Sequence, residues 1–222
     1  MEQDYGTLGP KLIRWQDRPC YIVGGGPSLI PWQPELWDLH QKGNVICVND
    51  SYKRVNSPDL IVSLDHRWNS ENMDKIWQMS APVVIAVDES NPRLPSDNLT
   101  YLKRLHRSGI NDNGKLSEDP TKAVNGMQSA HFALQVAYLK GAKTIYLLGL
   151  DFKIIDGRNH FHGGYKDEKG IERPLPISLF PIWADKMKDT LPQLLAAGVE
   201  VFNCSNDSLL TCFPHKSYES VL

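Results

Sequence analysis

Two histidines stand two residues apart in the segment GRNHFHGG (157–164). If that segment is extended, His160 and His162 point the same way. A histidine that titrates near neutrality can take a proton from an acceptor hydroxyl. The same pair can instead hold a metal with Asp151 or Asp65, or be ordinary polar residues of a loop. Glycines on both sides suit a loop that closes over a substrate, and Arg158 offers a cation for a phosphate or a carboxylate. Asp151, beyond Leu148-Gly149-Leu150, has three open roles: binding a ribose hydroxyl, orienting a histidine, or ending a strand.

A second chemical signal is YIVGGGPSL (21–29), an apolar run that breaks into Gly24, Gly25 and Gly26, then Pro27 and Ser28. Glycines permit a sharp turn and let a phosphate approach backbone amides closely. Pro27 suits the first turn of a following helix. The loop matches neither the GxGxxG dinucleotide fingerprint nor a Walker A sequence, which weakens oxidoreductase and P-loop kinase readings. A tight strand-to-helix turn explains it equally simply. The Pro-Ser continuation favours nucleotide phosphate binding.

These residues need a frame to hold them. Six short apolar runs end in Gly, Asp, Asn or Ser: 20–25, 44–50, 59–65, 82–88, 144–152 and 199–205. Continuous apolar runs of this length suit strands buried on both faces of a parallel sheet. Helical spacing appears over 128–140 and 182–197, with a shorter helix over 34–40. The alternation predicts one doubly wound, mostly parallel α/β domain of the Rossmann type over 1–222. Ligands of such sheets collect outside the carboxyl ends of the strands. Gly24–Gly26, Asn49, Asp50, Asp65, Asp88, Asp151 and Ser205 would share that rim, although turn preference explains any one of them alone. Residues 91–122 are polar and read as an insertion or lid, with Lys103, Arg104, His106 and Arg107 as a local basic patch. Residues 157–176 read as a mobile loop. Trp68, just after Asp65, His66 and Arg67, reads as packing or as a platform for a base.

Composition removes other classes. The chain has 222 residues, 41% hydrophobic and 23% charged, with a formal net charge of -2. That balance excludes fibrous and disordered classes and gives no strong nucleic-acid signal. A chain this long buries about 70% of its unfolded surface without staples. Cys20, Cys47, Cys204 and Cys212 form no CxxC pair, and with no signal peptide and no long apolar run the expectation is a cytoplasmic protein without a membrane span.

GGGPSL (24–29), VNDSY (48–52) and PDLIVSLD (58–65) together resemble the DUF115 group, which includes the archaeal 6-hydroxymethyl-dihydropterin pyrophosphokinase. The stretch NGMQSAHFALQVAYLKGAKTIYLLGLDF (125–152) extends the likeness, and it is also similar to the bacterial lipooligosaccharide sialyltransferases. NCSNDSLL (203–210) resembles their closing segment, and TCFP (211–214) is similar to short phage and prophage proteins of the group. The resemblance implies that Gly24, Gly25, Gly26, Pro27 and Ser28 hold nucleotide phosphates. It implies that Asn49 and Asp50 border the nucleotide, that Asn125, Gly126 and Ser129 pass under its base or ribose, and that Asn206 and Ser208 border the substrate. A catalytic histidine lies in the matching segment of the sialyltransferases. Asp65 falls where the pyrophosphokinase-like members carry an acid, which would hold Mg²⁺.

Together these readings predict a nucleotide-dependent group transferase. The favoured form is a glycosyltransferase with a CMP-linked sugar as donor, a small-molecule or glycan acceptor, His160 or His162 as base and no metal. The alternatives are an ATP- and Mg²⁺-dependent pyrophosphokinase of the 6-hydroxymethylpterin type and a non-catalytic nucleotide-binding phage accessory protein. A homo-oligomer is open in each.

Overall fold

Runs of Val, Ile and Leu that end abruptly in Gly, Asn or Asp fold as short buried strands. The computed structural model describes residues 7–8, 14–76, 78–79, 81–87, 98–105, 115–123, 128–166, 169–171, 173–174 and 177–222. Among them, eight strands form one sheet: β1 (Cys20–Val23), β2 (Asn44–Val48), β3 (Leu60–Ser63), β4 (Val83–Val87), β5 (Leu99–Arg104), β6 (Lys122–Ala123), β7 (Thr144–Leu148) and β8 (Glu200–Asn203). Their order is β6-β5-β4-β3-β2-β1-β7-β8, and every pairing is parallel. The sheet is the Rossmann-like α/β fold.

Successive connections run outward from β1 as far as β6, then return to β7 on the other side. The sheet therefore reverses direction between β1 and β7, which is where such folds place a ligand crevice. Register levels the rim: Val23 lies beside Cys47 on β2 and beside Leu148 on β7. The turns starting at Gly24, Asn49 and Gly149 thus open side by side.

The helices are α1 (Arg14–Asp17), α2 (Gln33–Trp37), α3 (His66–Ile76), α4 (Ser129–Lys140), α5 (Phe180–Met187), α6 (Leu191–Ala196) and α7 (Tyr218–Val221). On one face Ile22, Ile46 and Val62 pack in a cluster with Ala133, Leu134 and Ala137 of α4. All of α4 but Lys140 is buried. Its small and apolar residues all round suit this position, since a helix with no polar face is a covered one. It starts at Gln128, whose side chain accepts the Ala130 amide at 2.9 Å, and stops at Gly141, where φ is 91°. On the other face Tyr21, Val23, Val45 and Ile61 pack in a cluster with Leu29, Leu36, Trp68 and Tyr218.

Three sequence expectations change. Residues 91–122 are not simply an insertion, because β5 lies inside them, parallel to β4, with Leu102 fully buried. Its flanking charges hid the strand. The helix expected over 182–197 is broken by a 3-10 turn at Lys188–Thr190. Pro192, in the first turn of α6, lacks an amide hydrogen and crowds the preceding turn, so one continuous helix cannot form. The sequence reading also missed α3, whose residues HRWNSENMDKI are mostly polar, with few apolar side chains to draw attention to its buried face. Among the described residues no helix is long and apolar enough to cross a membrane.

Ser51 ties the rim together. Its hydroxyl donates to the Val23 carbonyl at 2.6 Å and accepts the Val48 amide at 2.8 Å, fully buried. Ser51→Ala leaves both backbone groups unpaired at a cost of about 2 kcal/mol. Melting should therefore fall by about 4–8 °C for a chain of this size, read by calorimetry. An unchanged melting temperature would mean that the rim does not depend on this bridge.

Candidate active site

The turns after β1, β2, β3 and β7 surround a cavity of about 650 Å³. The start of α4 and part of α5 complete its wall. Asn49, the first residue beyond β2, has φ of 51°. Asparagine is among the few side chains that enter the left-handed region readily. The bend turns the Asn49 side chain into the cavity wall, where it is hydrogen-bonded to Tyr165 and keeps a buried Oδ1 with no partner.

The histidine segment is pinned rather than loose where it is described. The Phe161 amide donates to the Gly25 carbonyl at 2.9 Å, and the Phe161 ring is buried under the Arg54 guanidinium, 4.5 Å from its centre. His160 and His162 flank this anchor, and both line the cavity with ring centres 4.9 Å apart. Tyr165 sits edge-on to both rings, at 5.0 and 4.7 Å. Burial pushes His160 down to about 4, helped by His162 and opposed by Asp50. Burial also lowers His162, against the pull of Asp50. Burial thus favours the neutral form of both rings. His162 Nδ1 lies 3.2 Å from the Gly164 carbonyl, which can only accept, so the proton belongs on Nδ1. Nε2 is left as a bare lone pair, buried and unpartnered.

The glycine loop is built differently from a phosphate cradle. The Gly24 amide donates to Leu148 O at 2.7 Å and the Gly26 amide to Gly149 O at 2.8 Å. The Ser28 amide and hydroxyl donate to Asp151 Oδ2 and Oδ1 at 2.9 and 2.6 Å. Pro27 has no amide hydrogen and is buried at the start of a 3-10 turn. Only the Gly25 amide is uncommitted among the described residues. A Cβ on Gly24 would lie 2.6 Å from Gly149 O, and one on Gly26 2.4 Å from Asp151 Oδ2. These two glycines are required because the β7 turn approaches so closely. Gly25 backs onto the His160 ring, at 3.0 Å.

Of the three roles open to Asp151, the structure shows a bracing one at the strand end, through Ser28. It is 2% exposed, both oxygens are engaged by Ser28, and burial raises its pKa against those bonds. Asp50 lines the cavity, but its Oδ1 accepts the Trp68 indole at 3.0 Å and its Oδ2 pairs with Lys53 at 3.1 Å. Trp68 is buried, so it is no platform for a base. Asp65 caps α3, with Oδ1 accepting the amides of Arg67 at 2.9 Å and Trp68 at 3.4 Å. Among the described residues no group of three His, Cys, Asp or Glu side chains is arranged to hold a metal. With Asp50 and Asp151 tied to protein partners, the rim is a poor fit for Mg²⁺.

Ser129 lines the cavity while accepting the Leu64 amide at 3.0 Å. Asn125, Gly126, Asp88, His106 and Arg107 lie outside the described residues. Arg158, Asn206 and Ser208 are not in the cavity wall. Arg158 is exposed in a backbone bridge with Ile155. Asn206 meets His215 Nε2 at 3.0 Å, and the Ser208 hydroxyl donates to Leu150 O at 2.6 Å. The sequence reading missed Lys153, Tyr165, Arg173, Phe180 and Trp183, which do line it. Lys153, next to the Leu-Gly-Leu-Asp-Phe strand end, carried the one sequence signal among them.

Among the described residues, the buried polar atoms on this cavity with no protein partner include Asn49 Oδ1, Asn159 Nδ2, His160 Nδ1, His162 Nε2 and Trp183 Nε1. Unpaired buried polar atoms are costly and rare, so five around one cavity indicate a polar ligand.

Residues 7–157 match the family described as 6-hydroxymethylpterin diphosphokinase MptE-like. The chain belongs to that family. No curated relative matches it. Among solved structures it resembles the MAf glycosyltransferase from Magnetospirillum magneticum AMB-1, with a TM-score of 0.65 and 18% identity. That likeness covers 98% of this chain and 36% of the other, so the chain spans about a third of its neighbour's length. At this identity it establishes the fold alone. The family and the neighbour are both named for group transfer.

The glycine geometry can be tested directly. Gly26→Ala meets a carboxylate and a carbonyl that cannot retreat, and overpacking of this kind costs about 1–3 kcal/mol. Gly25→Ala meets only one edge of a side-chain ring. Thermal denaturation should therefore show Gly26→Ala several degrees below wild type and Gly25→Ala close to it. The reverse order would contradict the packing described.

Proposed function

We propose that this chain transfers a group from a nucleotide-activated donor, and that the donor is a nucleotide sugar with CMP as the favoured leaving group. The observation carrying the reading is the pair of half-buried histidines, both held towards the neutral form, on a cavity with at least five unpartnered polar atoms, at the point where the sheet reverses. His162 Nε2 takes the proton of the acceptor hydroxyl. The acceptor oxygen forms its bond to the anomeric carbon as that carbon's bond to the phosphate oxygen breaks. The electron pair leaves with the nucleotide phosphate, and the histidine keeps the proton. His160 and Tyr165 hold the His162 ring in place and keep water from it. Asn49 presents an acceptor for a sugar or base donor group.

The family description favours a second reading, diphosphate transfer from ATP with Mg²⁺. The engaged state of Asp50 and Asp151 and the capping role of Asp65 weigh against it. Thermal-shift titration separates the two. Stabilisation by CMP or CTP that persists in EDTA supports the sugar reading. Stabilisation only by ATP with Mg²⁺ supports the second, and none by any nucleotide points to a non-catalytic protein.

The histidine environment also sets a pH signature. A base is active when unprotonated, so a depressed pKa extends activity to lower pH. The acid limb of kcat/KM should lie below 6.5, and His162→Gln should lose at least about 100-fold in kcat while retaining nucleotide binding. Stability follows the same sign. The unfolded chain binds protons at these rings near 6.5, whereas folded His160 resists them until about 4. The stability is complete above pH 6.5 and is lost as pH falls from there towards 4. Wild type should lose more melting temperature than His160→Gln between pH 7.5 and 5. Equal losses would place His160 in water.

A further inference from the structure

The amide bookkeeping of the glycine loop leaves a leaving phosphate under-compensated, and a cation elsewhere in the wall answers it. We propose that Lys153 is the phosphate ligand of this site, supplying the countercharge that the loop amides and a metal do not. The inference rests on the nucleotide reading above and adds the residue and the chemistry that would hold the donor's anionic end.

Of the loop's amide hydrogens from Gly24 to Ser28, three are engaged by Leu148 O, Gly149 O and Asp151, and Pro27 has none. One remaining amide cannot balance the charge of a phosphate that leaves with an electron pair. The cations around the cavity are not equivalent. Arg173 is paired with Glu71, and Lys53, close by, is paired with Asp50. Arg104, half-buried on the same wall, is engaged by another group, and Arg67 is exposed to solvent, where its charge is screened. Lys153 is half-buried, lines the cavity with Gly25 and His160, and has no acidic side chain within ion-pair distance among the described residues. Asp151, the acid whose charge it feels, has both oxygens on Ser28. Phe152 before it has φ of 50°, a left-handed bend that a bulky residue adopts only under constraint, so the backbone that carries Lys153 is fixed. A half-buried ammonium held in this way meets an anion with less screening than a surface lysine would.

The test compares nucleosides with their monophosphates, cytidine against CMP and adenosine against AMP, by calorimetric titration at low and moderate salt. Wild type is expected to bind at least one monophosphate roughly tenfold tighter than its nucleoside, a preference that weakens with salt. In Lys153→Met that preference should fall to about twofold or less with the nucleoside affinity unchanged, and Lys153→Arg should restore most of it. Lys153→Gln serves if the Met variant fails to fold, and circular dichroism with a melting curve checks each variant. A full monophosphate preference in the neutral variants overturns the role of Lys153 and leaves the nucleotide reading standing. A wild type that prefers neither monophosphate overturns the nucleotide reading and the inference together.

Discussion

Close contact between the turn after β1 and the turn after β7 is the constraint on which the rest of the structure depends. Two parallel strands leave the sheet side by side at the one place where its connections reverse. Their turns are drawn together by backbone bonds from Gly24 and Gly26 and by the Asp151 carboxylate, which accepts both donors of Ser28. Only hydrogen side chains fit at Gly24 and Gly26 under that approach. The C-terminal helix extends the same joint. The Tyr218 hydroxyl accepts the Gly149 amide at 2.9 Å and lies 3.0 Å from Ser28 Oγ, and its ring stacks on Trp32. A buried carboxylate with a raised pKa is tolerable there because its partners offset its loss of solvent.

Once that joint is closed, the electrostatics of the cavity follow. The acids of the rim serve structure: one braces the loop, one holds an indole and a lysine, one caps a helix. The groups that remain available are neutral imidazoles, carboxamides, an indole and cations. Such a wall suits an anionic, hydroxyl-rich ligand better than a cluster of carboxylates around a divalent ion would. The fold shared with a glycosyltransferase and the membership of an MptE-like family are both compatible with that wall. The two readings differ in what they ask of the site and not in the fold.

Much was legible in the chain itself, because some signals are local. Apolar runs of four to six residues closed by Gly, Asn or Asp can be little else than buried parallel strands, and six of the eight strands were read that way. The helix over 129–140 announced itself through its small apolar residues and the Gly141 stop. The histidine pair, Gly24–Gly26, Asn49 and Ser129, singled out separately in the sequence, line one cavity, because strand ends converge in this architecture. By contrast β5 and α3 are rich in polar and charged residues, so a search for apolar runs passed over them.

What the residues around Asp151 do was settled only by the three-dimensional arrangement. Sequence places glycines, a serine and an acid at two strand ends 120-odd residues apart, and each type is at home in a phosphate site. Whether the serine faces a ligand or the acid depends on the distance between those ends, and distance across a sheet is a product of strand order and register. The same holds for Arg158, Asn206 and Ser208, which sit near the site in sequence yet outside its wall, and for Tyr165 and Trp183, which later segments deliver into it. Local patterns encode elements, whereas the pairing of polar groups across elements is decided when the chain closes on itself.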